Sequence, residues 1–386
     1  MKFYKFFEKT LYLVKLIENY NFKEAHLLAK ILSQYKKKFN NDLFDYYEFK
    51  LNLFSPKNNH SINNFYIQKH SVFFPNFKYD LARYYLAQLK FEEGFSLFHY
   101  RLIGTPKLKK MAQIPSIMLL PEWNFEKKRI LIWQDFSIGE TILFIRLLSL
   151  VDLNGCHLTI FIEKKILNIF KSIYQDFDFI CDNQINSQNY DFQLPIGSLS
   201  KLITNQNFND LKKLPSIYPD NSNTQKNSKT IALLFSDELD KNFKDKSFDI
   251  KEMLRLLENY RDFSFIILNR GKSKKNLENI LEKNNHKIIK HNYDTFYKIE
   301  NIIKVLNFTN FFICTSCTEA YLAGLYGFKT IVLYNKIRLS NWAWHQSDSN
   351  NLNYWFRSVY TVPFDKTNFD FSSINATVTQ ITSKFN

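Results

Sequence analysis

Glycine and proline are scarce in this 386-residue chain, at 8 and 9 residues. That excludes collagen-like and Gly/Pro-rich low-complexity organisation. Only four cysteines occur, Cys156, Cys181, Cys314 and Cys317. So few exclude a disulfide scaffold, and a reducing, cytoplasmic setting is expected. Cys314 and Cys317 form a lone C-x-x-C, a weak zinc or redox signal without a second pair or a nearby His. Neither a metal nor a cofactor is expected. No run of 18 apolar residues exists, so nothing reads as a membrane span. The opening MKFYKFFEKTLYLVKLIENY is broken by Lys5, Glu8, Lys9 and Lys15, which leaves no clean apolar stretch for an export signal.

Acidic residues are outnumbered 37 to 52 by basic ones, for a formal net charge of +15. The lysines come in short, scattered runs such as Lys36-Lys37-Lys38. A nucleic-acid partner calls for a cluster, so the excess reads as a solvated surface. Apolar residues are 45% and charged residues 23% of the chain, which suits a globular protein with ample core. The length suggests two or three domains.

The chain divides by hydrophobic period. Residues 5–54 read as helices. In 18–35, a turn at Asn19-Tyr20-Asn21 precedes Phe22, Ala25, Leu28, Ala29 and Leu32, which share one helix face. A similar unit recurs at 81–102, with Leu81, Ala82, Tyr85, Leu86 and Leu89 inward and Gly94 in the place of the small Ala25. Helix, turn and a small residue early in the second helix resemble a tetratricopeptide repeat, although plain helical hairpins fit as well. Two or three degenerate repeats cannot bury their faces alone and would pack on the more C-terminal part of the chain.

After a linker at 103–127 the period changes. Strands are expected at 129–134, 157–163 and 177–181, with helices at 137–151 and 165–173 between them. Polar residues 204–229 mark a hinge. A second block then alternates strands at 230–235, 263–269, 286–290, 311–315 and 329–334 with helices at 249–259, 274–284, 297–306 and 318–326. Strands alternating with helices imply parallel sheets. Two such blocks suggest two lobes, with ligands beyond the carboxyl ends of the strands. The expected division is 1–104 helical, 105–222 a first α/β lobe with its linker, and 223–386 a second α/β lobe.

Two segments carry a family resemblance. Residues 132–148, IWQDFSIGETILFIRLL, resemble a strand–loop–helix pattern, W-x-E-Q-G-x-G-D-x-I-x-F-x-R. It belongs to bacterial tetratricopeptide proteins with a heptosyltransferase-like C-terminal domain. Trp133, Gly139, Ile142, Phe144 and Arg146 match. Asp135, Phe136, Ser137 and Glu140 stand for its Glu, Gln, first Gly and Asp. Residues 313–358 resemble a second pattern of the same family, through Ala320, Leu322, Ala323, Gly324, Gly327, Trp342, Trp344 and Trp355. There Ser316, Cys317 and Tyr321 replace Asp, Thr and His. Weaker matches lie at 91–101 and at Lys246-Ser247-Phe248. The resemblance spans roughly 78–360, and the order of the motifs is its specific part.

The resemblance implies an α/β, GT-B-like architecture of two Rossmann-like lobes behind a tetratricopeptide-like helical region. It also implies transfer of a sugar from a nucleotide-diphosphate sugar to a protein or glycan acceptor, with the donor in the second lobe and a protein partner for the helices. The alternative is a degenerate, non-catalytic relative acting as a binding scaffold.

Transfer needs a base for the acceptor hydroxyl and stabilisation of the departing diphosphate. The resemblance places Glu140 as the base, with Asp135 as a second candidate. It places Ser137, Gly139, Thr141, Ser236, Lys246, Arg270, Thr315, Ser316, Thr318, Glu319, Trp344 and His345 around the substrates. The residues alone leave alternatives. Ser137 to Glu140 and Ser316 to Glu319 are each S-x-x-E before an apolar run, the signature of a capping box. Backbone N–H groups at such a helix start also bind phosphate, but Glu319 would put a negative charge there. Lys246, Arg270 and Lys272 can neutralise a diphosphate or lie in solvent. Trp342, Trp344 and Trp355 can stack on a ligand, clamp the lobes or pack in a core. Arg101 and Arg146 read as structural residues docking helix to sheet.

Overall fold

In the computed structural model, the described residues are 9–10, 12–13, 22–34, 75–104, 120–124, 126–150, 152–181, 185–202, 229–235, 248–291, 300–336, 342–365 and 369–385. Helix α1 (Phe22–Ser33) buries Ala25, Ala29 and Leu32 on the face read from the sequence. Helices α2 (Pro75–Ala87) and α3 (Phe91–Phe98) form a hairpin, followed by a single turn, α4 (Arg101–Gly104). Gly94 lets the hairpin close. A Cβ there would lie 2.6 Å from Leu86 and 3.2 Å from the Ala82 carbonyl.

The first α/β block forms a four-stranded parallel sheet in the order β3-β2-β1-β4, from β1 (Arg129–Trp133), β2 (His157–Phe161), β3 (Asp178–Ile180) and β4 (Phe192–Pro195). Strand β4 was not expected. Its four residues hold a Gln and a Pro, too few apolar side chains to show a period. Its pairing with β1 supplies what sequence cannot, and Gln193 accepts the Trp133 indole N–H at 2.7 Å. The helix expected at 137–151 is shorter. Helix α5 (Ile138–Ile145) gives way to a 3-10 turn at Arg146–Leu150. Helix α6 (Lys164–Ile173) follows β2.

The second block forms a six-stranded parallel sheet in the order β10-β9-β8-β5-β6-β7. Its strands are β5 (Thr230–Leu234), β6 (Ser264–Ile267), β7 (Lys287–Ile288), β8 (Phe311–Thr315), β9 (Thr330–Asn335) and β10 (Val359–Phe364). Helices α7 (Ile250–Leu257), α8 (Gly271–Lys283), α9 (Glu300–Leu306), α10 (Thr318–Leu325) and α11 (Phe371–Ser383) connect or cover them. Strand β10 and α11 lie beyond the last expected strand and complete the sheet edge. The hinge expected at 204–229 falls outside the described residues except Lys229.

Strand order fixes where a ligand crevice can form. Such crevices open at the carboxyl ends of strands where the order reverses. That point lies between β1 and β4 in the first sheet and between β5 and β8 in the second. The loops after β1 and β8 carry the two family-like motifs.

Candidate functional site

The loop after β1 is held by buried Gln134. Its side chain donates to the Phe136 carbonyl at 3.0 Å and to Glu163 at 3.2 Å, and accepts the Glu163 N–H at 2.8 Å. Asp135 is fully engaged. Its buried carboxylate accepts from Arg101 Nε at 2.8 Å, pairs with Arg101 Nη2 at 2.7 Å and accepts the Gly197 N–H at 2.9 Å. This corrects its reading as a second base: the oxygens are buried and committed. Arg101 does dock helix to sheet as expected, tying α4 to the ends of β1 and β4.

Ser137 is the N-cap of α5, but no reciprocal box forms. Its hydroxyl donates to the Glu140 carboxylate at 2.9 Å, with no side-chain bond to a backbone N–H. Thr141 turns inward, and its hydroxyl donates to the Ser137 carbonyl at 2.9 Å. Glu140 stays half-buried at the helix start, where the dipole favours a negative charge.

The loop after β8 departs further from expectation. Thr315 and Ser316 are buried, and Cys317 is the N-cap of α10, although its side chain makes no capping hydrogen bond. The Ser316 hydroxyl accepts the Trp344 indole N–H at 2.9 Å. Trp344 is itself fully buried, its ring 4.4 Å from Tyr321. Stacking on a ligand is therefore corrected to core packing, because no face of the ring is open. Thr318 is half-buried in the first turn of α10. Glu319 caps nothing. Its buried carboxylate pairs with Arg270, so two expected ligand residues neutralise each other. Asn269 beside Arg270 ties the ends of β5 and β6, donating to the Phe235 carbonyl at 2.6 Å and accepting the Phe235 N–H at 3.2 Å. Ser236 and Lys246 lie outside the described residues. His345 sits half-buried against Tyr334 at 4.8 Å, and Arg357 is exposed.

The two loops meet. Gly139 in the first turn of α5 touches the Tyr321 ring of α10, where a Cβ would come within 2.6 Å of the ring. Burial pushes the Tyr321 hydroxyl well above its ordinary value, and the Glu140 charge adds to that. Burial likewise pushes up Tyr79 of α2, with Arg83 opposing and Glu140 adding. The surroundings of Glu140 thus draw on all three parts of the chain. Tyr79, Arg83 and Tyr321 were missed as neighbours because they lie more than 50 positions away in sequence.

Below the loops, an aromatic core joins the same parts. Trp342 packs on Phe98 of α3 at 5.6 Å and Phe144 of α5 at 6.0 Å, and Trp355 on Phe144 at 6.2 Å. Gln346 donates to the Leu86 carbonyl at 3.0 Å. Arg146 is corrected too: it docks lobe to lobe, donating to the Trp355 carbonyl and lying 4.7 Å from the Phe356 ring. Burial pulls its guanidinium down to about 10, still charged at neutral pH. Among the described residues, no group of three or more His, Cys, Asp or Glu could hold a metal ion, and no helix is long and apolar enough to cross a membrane.

No protein-family model matches the chain, and no curated protein matches it. Among solved structures it is similar to a glycosyl transferase family 9 protein from Veillonella parvula, at 10% identity and a TM-score of 0.44, covering 68% of this chain and 98% of that one. It is also similar to the E. coli heptosyltransferase WaaC with ADP, at 10% identity and a TM-score of 0.40, covering 67% and 100%. A third likeness is to an O-GlcNAc transferase variant from Thermobaculum terrenum, at 9% identity and a TM-score of 0.33, covering 99% and 91%. At such identities and scores these likenesses assign no residue a role.

Proposed function

We propose that the chain is a glycosyltransferase of GT-B-like design that moves a sugar from a nucleotide-diphosphate sugar to a hydroxyl of a protein or glycan acceptor. The observation that carries this reading is the meeting of α5 and α10, two helix starts from different sheets, at Gly139 and Tyr321. Each follows a strand beside the switch point of its sheet, where backbone N–H groups and dipoles favour anions.

In this reading Glu140 takes the proton of the acceptor hydroxyl, with Ser137 orienting the carboxylate through their hydrogen bond. Its neighbours Tyr79 and Tyr321 stay neutral, since burial raises both. The start of α10, with Thr318, receives the diphosphate, and Arg270 adds charge once it turns from Glu319. The α2–α3 hairpin, read as tetratricopeptide-like, contributes to the wall and presents the acceptor. A cytoplasmic setting with reduced cysteines belongs to the same proposal.

One feature favours the scaffold reading. Glu319 places a buried carboxylate where a diphosphate would approach α10. Calorimetry with adenosine, uridine and guanosine diphosphate sugars separates the two, followed by sugar transfer or donor hydrolysis by wild type and Glu140→Gln. Transfer requires a donor that binds, and an activity that falls at least about 100-fold in Glu140→Gln while binding is kept. Absence of binding to every donor sinks the transferase reading, and activity unchanged by Glu140→Gln removes Glu140 as the base.

A further inference from the structure

The outer edge of the first sheet is built differently from the centre of the second. Strands β8 and β9 are buried at every position, whereas β2 and β3 alternate. Leu158, Ile160 and Phe179 belong to the same core as Ile166, Ile169 and Phe170 of α6. Thr159, Phe161, Asp178 and Ile180 fall on the opposite face and are not fully buried.

On that face, reaching round the β3 edge, lies a cavity of about 560 Å³ whose lining includes Thr159, Lys171, Tyr174, Gln175, Asp178 and Tyr190. This volume lies within the roughly 300–1,000 Å³ usual for small-molecule sites. Tyr174 stacks on Phe177 at 5.5 Å and 13°, and on Phe170 at 6.2 Å and 26°. The side chains of Thr159, Lys171, Gln175, Asp178 and Tyr190 make no hydrogen bond to other described residues. Burial pushes the Tyr174 hydroxyl up to about 12, against the pull of Arg146, so it remains a neutral O–H group.

The chemistry of this lining selects among ligands. It carries one cation and one anion, so it lacks the clustered positive charge that a phosphate or nucleotide calls for. It is too rich in uncommitted polar groups for a purely apolar ligand. Donors and acceptors alternate with aromatic rings, which suits a molecule with apolar ring faces and a rim of hydroxyls. We propose that this groove binds a neutral oligosaccharide, with sugar rings against Tyr174 and Tyr190 and hydroxyls on Thr159, Lys171, Gln175 and Asp178. The loop at 174–177 and Tyr190 precede β3 and β4, so the groove lies toward the amino ends of these strands. The Glu140 loop lies at the carboxyl end of β1. The groove is therefore a second carbohydrate site, independent of the one between the lobes.

The test is a microarray of neutral gluco-, galacto-, manno- and N-acetylglucosamine oligosaccharides, with anionic glycans alongside, probed with the full chain. Calorimetry with the strongest neutral hit then compares wild type, Tyr190→Ala, Gln175→Ala and Glu140→Gln. Gln175 is exposed just beyond the end of α6, and its side chain makes no hydrogen bond to other described residues, so Gln175→Ala leaves the fold intact. The expected result is binding about tenfold weaker in both groove variants and unchanged in Glu140→Gln. Failure of every neutral oligosaccharide to bind overturns the proposal. So do hits confined to anionic glycans, binding lost in Glu140→Gln, or affinity that Gln175→Ala leaves unmoved, whatever Tyr190→Ala does.

Discussion

Gly139→Ala tests the contact on which the candidate site depends. The added Cβ would lie 2.6, 2.8 and 3.2 Å from the Cδ2, Cε2 and Cγ atoms of Tyr321. Carbon atoms in good contact sit roughly 3.5–4.0 Å apart, so the shortfall is about 1 Å. The ring cannot easily retreat. Trp344 lies 4.4 Å from it and Phe356 6.2 Å, and Phe356 in turn presses on Gly324, where a Cβ would come within 2.5 Å. Overpacking of this kind costs about 1–3 kcal/mol. Alanine in place of glycine in a helix returns roughly 0.5–1 kcal/mol. With a shortfall of about 1 Å against a ring that is held, the cost falls in the upper part of that range, about 2–3 kcal/mol. The net loss is about 1–2.5 kcal/mol, or a fall in Tm of roughly 2–10 °C for a unit of 150–250 residues. Thermal and urea unfolding followed by circular dichroism measure it. Tyr321→Leu in the Gly139→Ala background should recover at least about 1 kcal/mol through coupling. Tyr321→Phe should not, because all three clashing carbons remain. A Gly139→Ala protein as stable as wild type, or a cycle without coupling, refutes the closed contact between α5 and α10.

Asp135→Asn should lower stability by roughly 3 kcal/mol or more in urea unfolding, because it removes one charge from the buried pair of Arg101 and Asp135; a loss under about 1 kcal/mol would show that the pair is not the tie between α4 and the sheet. Neither ring nitrogen of buried His286 has a hydrogen-bond partner among the described residues, and burial lowers its pKa from 6.5, with Glu258 opposing and Arg261 adding. A histidine held neutral binds fewer protons folded than unfolded, so its contribution is complete above about 6.5 and falls as pH drops below that value. His286→Phe should flatten that acid-side fall in a series of urea midpoints; an unchanged pH profile would count against it.

Much of the architecture was legible in the chain. Strands such as 311–315 and 230–234 are short apolar runs between helical periods, and burial on both sheet faces demands that pattern. The loop after β1 was legible because a Gly next to a helix start and a fixed order of Trp, Phe and Arg leave a local trace, and the loop after β8 because Ser316 to Glu319 precedes a run of small and apolar residues. Strand β4 left none, since Phe192–Pro195 has no period and becomes a strand only by pairing with β1. Helix α11 went unread because Asn, Thr and Ser dilute its apolar face, and β10 because Pro363 interrupts its short run.

Residue types by themselves set the options at each loop, and the partners were decided by folding. Asp135 is a carboxylate at a strand end in either account, and only Arg101, 34 positions earlier, makes it a buried pair instead of a base. Glu319 is an acid at a helix start, and only Arg270, 49 positions away, turns it from cap to counter-charge. Arg146 docks one lobe on the other because the Trp355 carbonyl, 209 positions on, is where its guanidinium ends. Hydrophobic period is a local property and survives in one dimension. Charge pairing and hydrogen-bond satisfaction depend on which atoms come within about 3 Å, and that is settled only when the sheets, helices and hairpin pack.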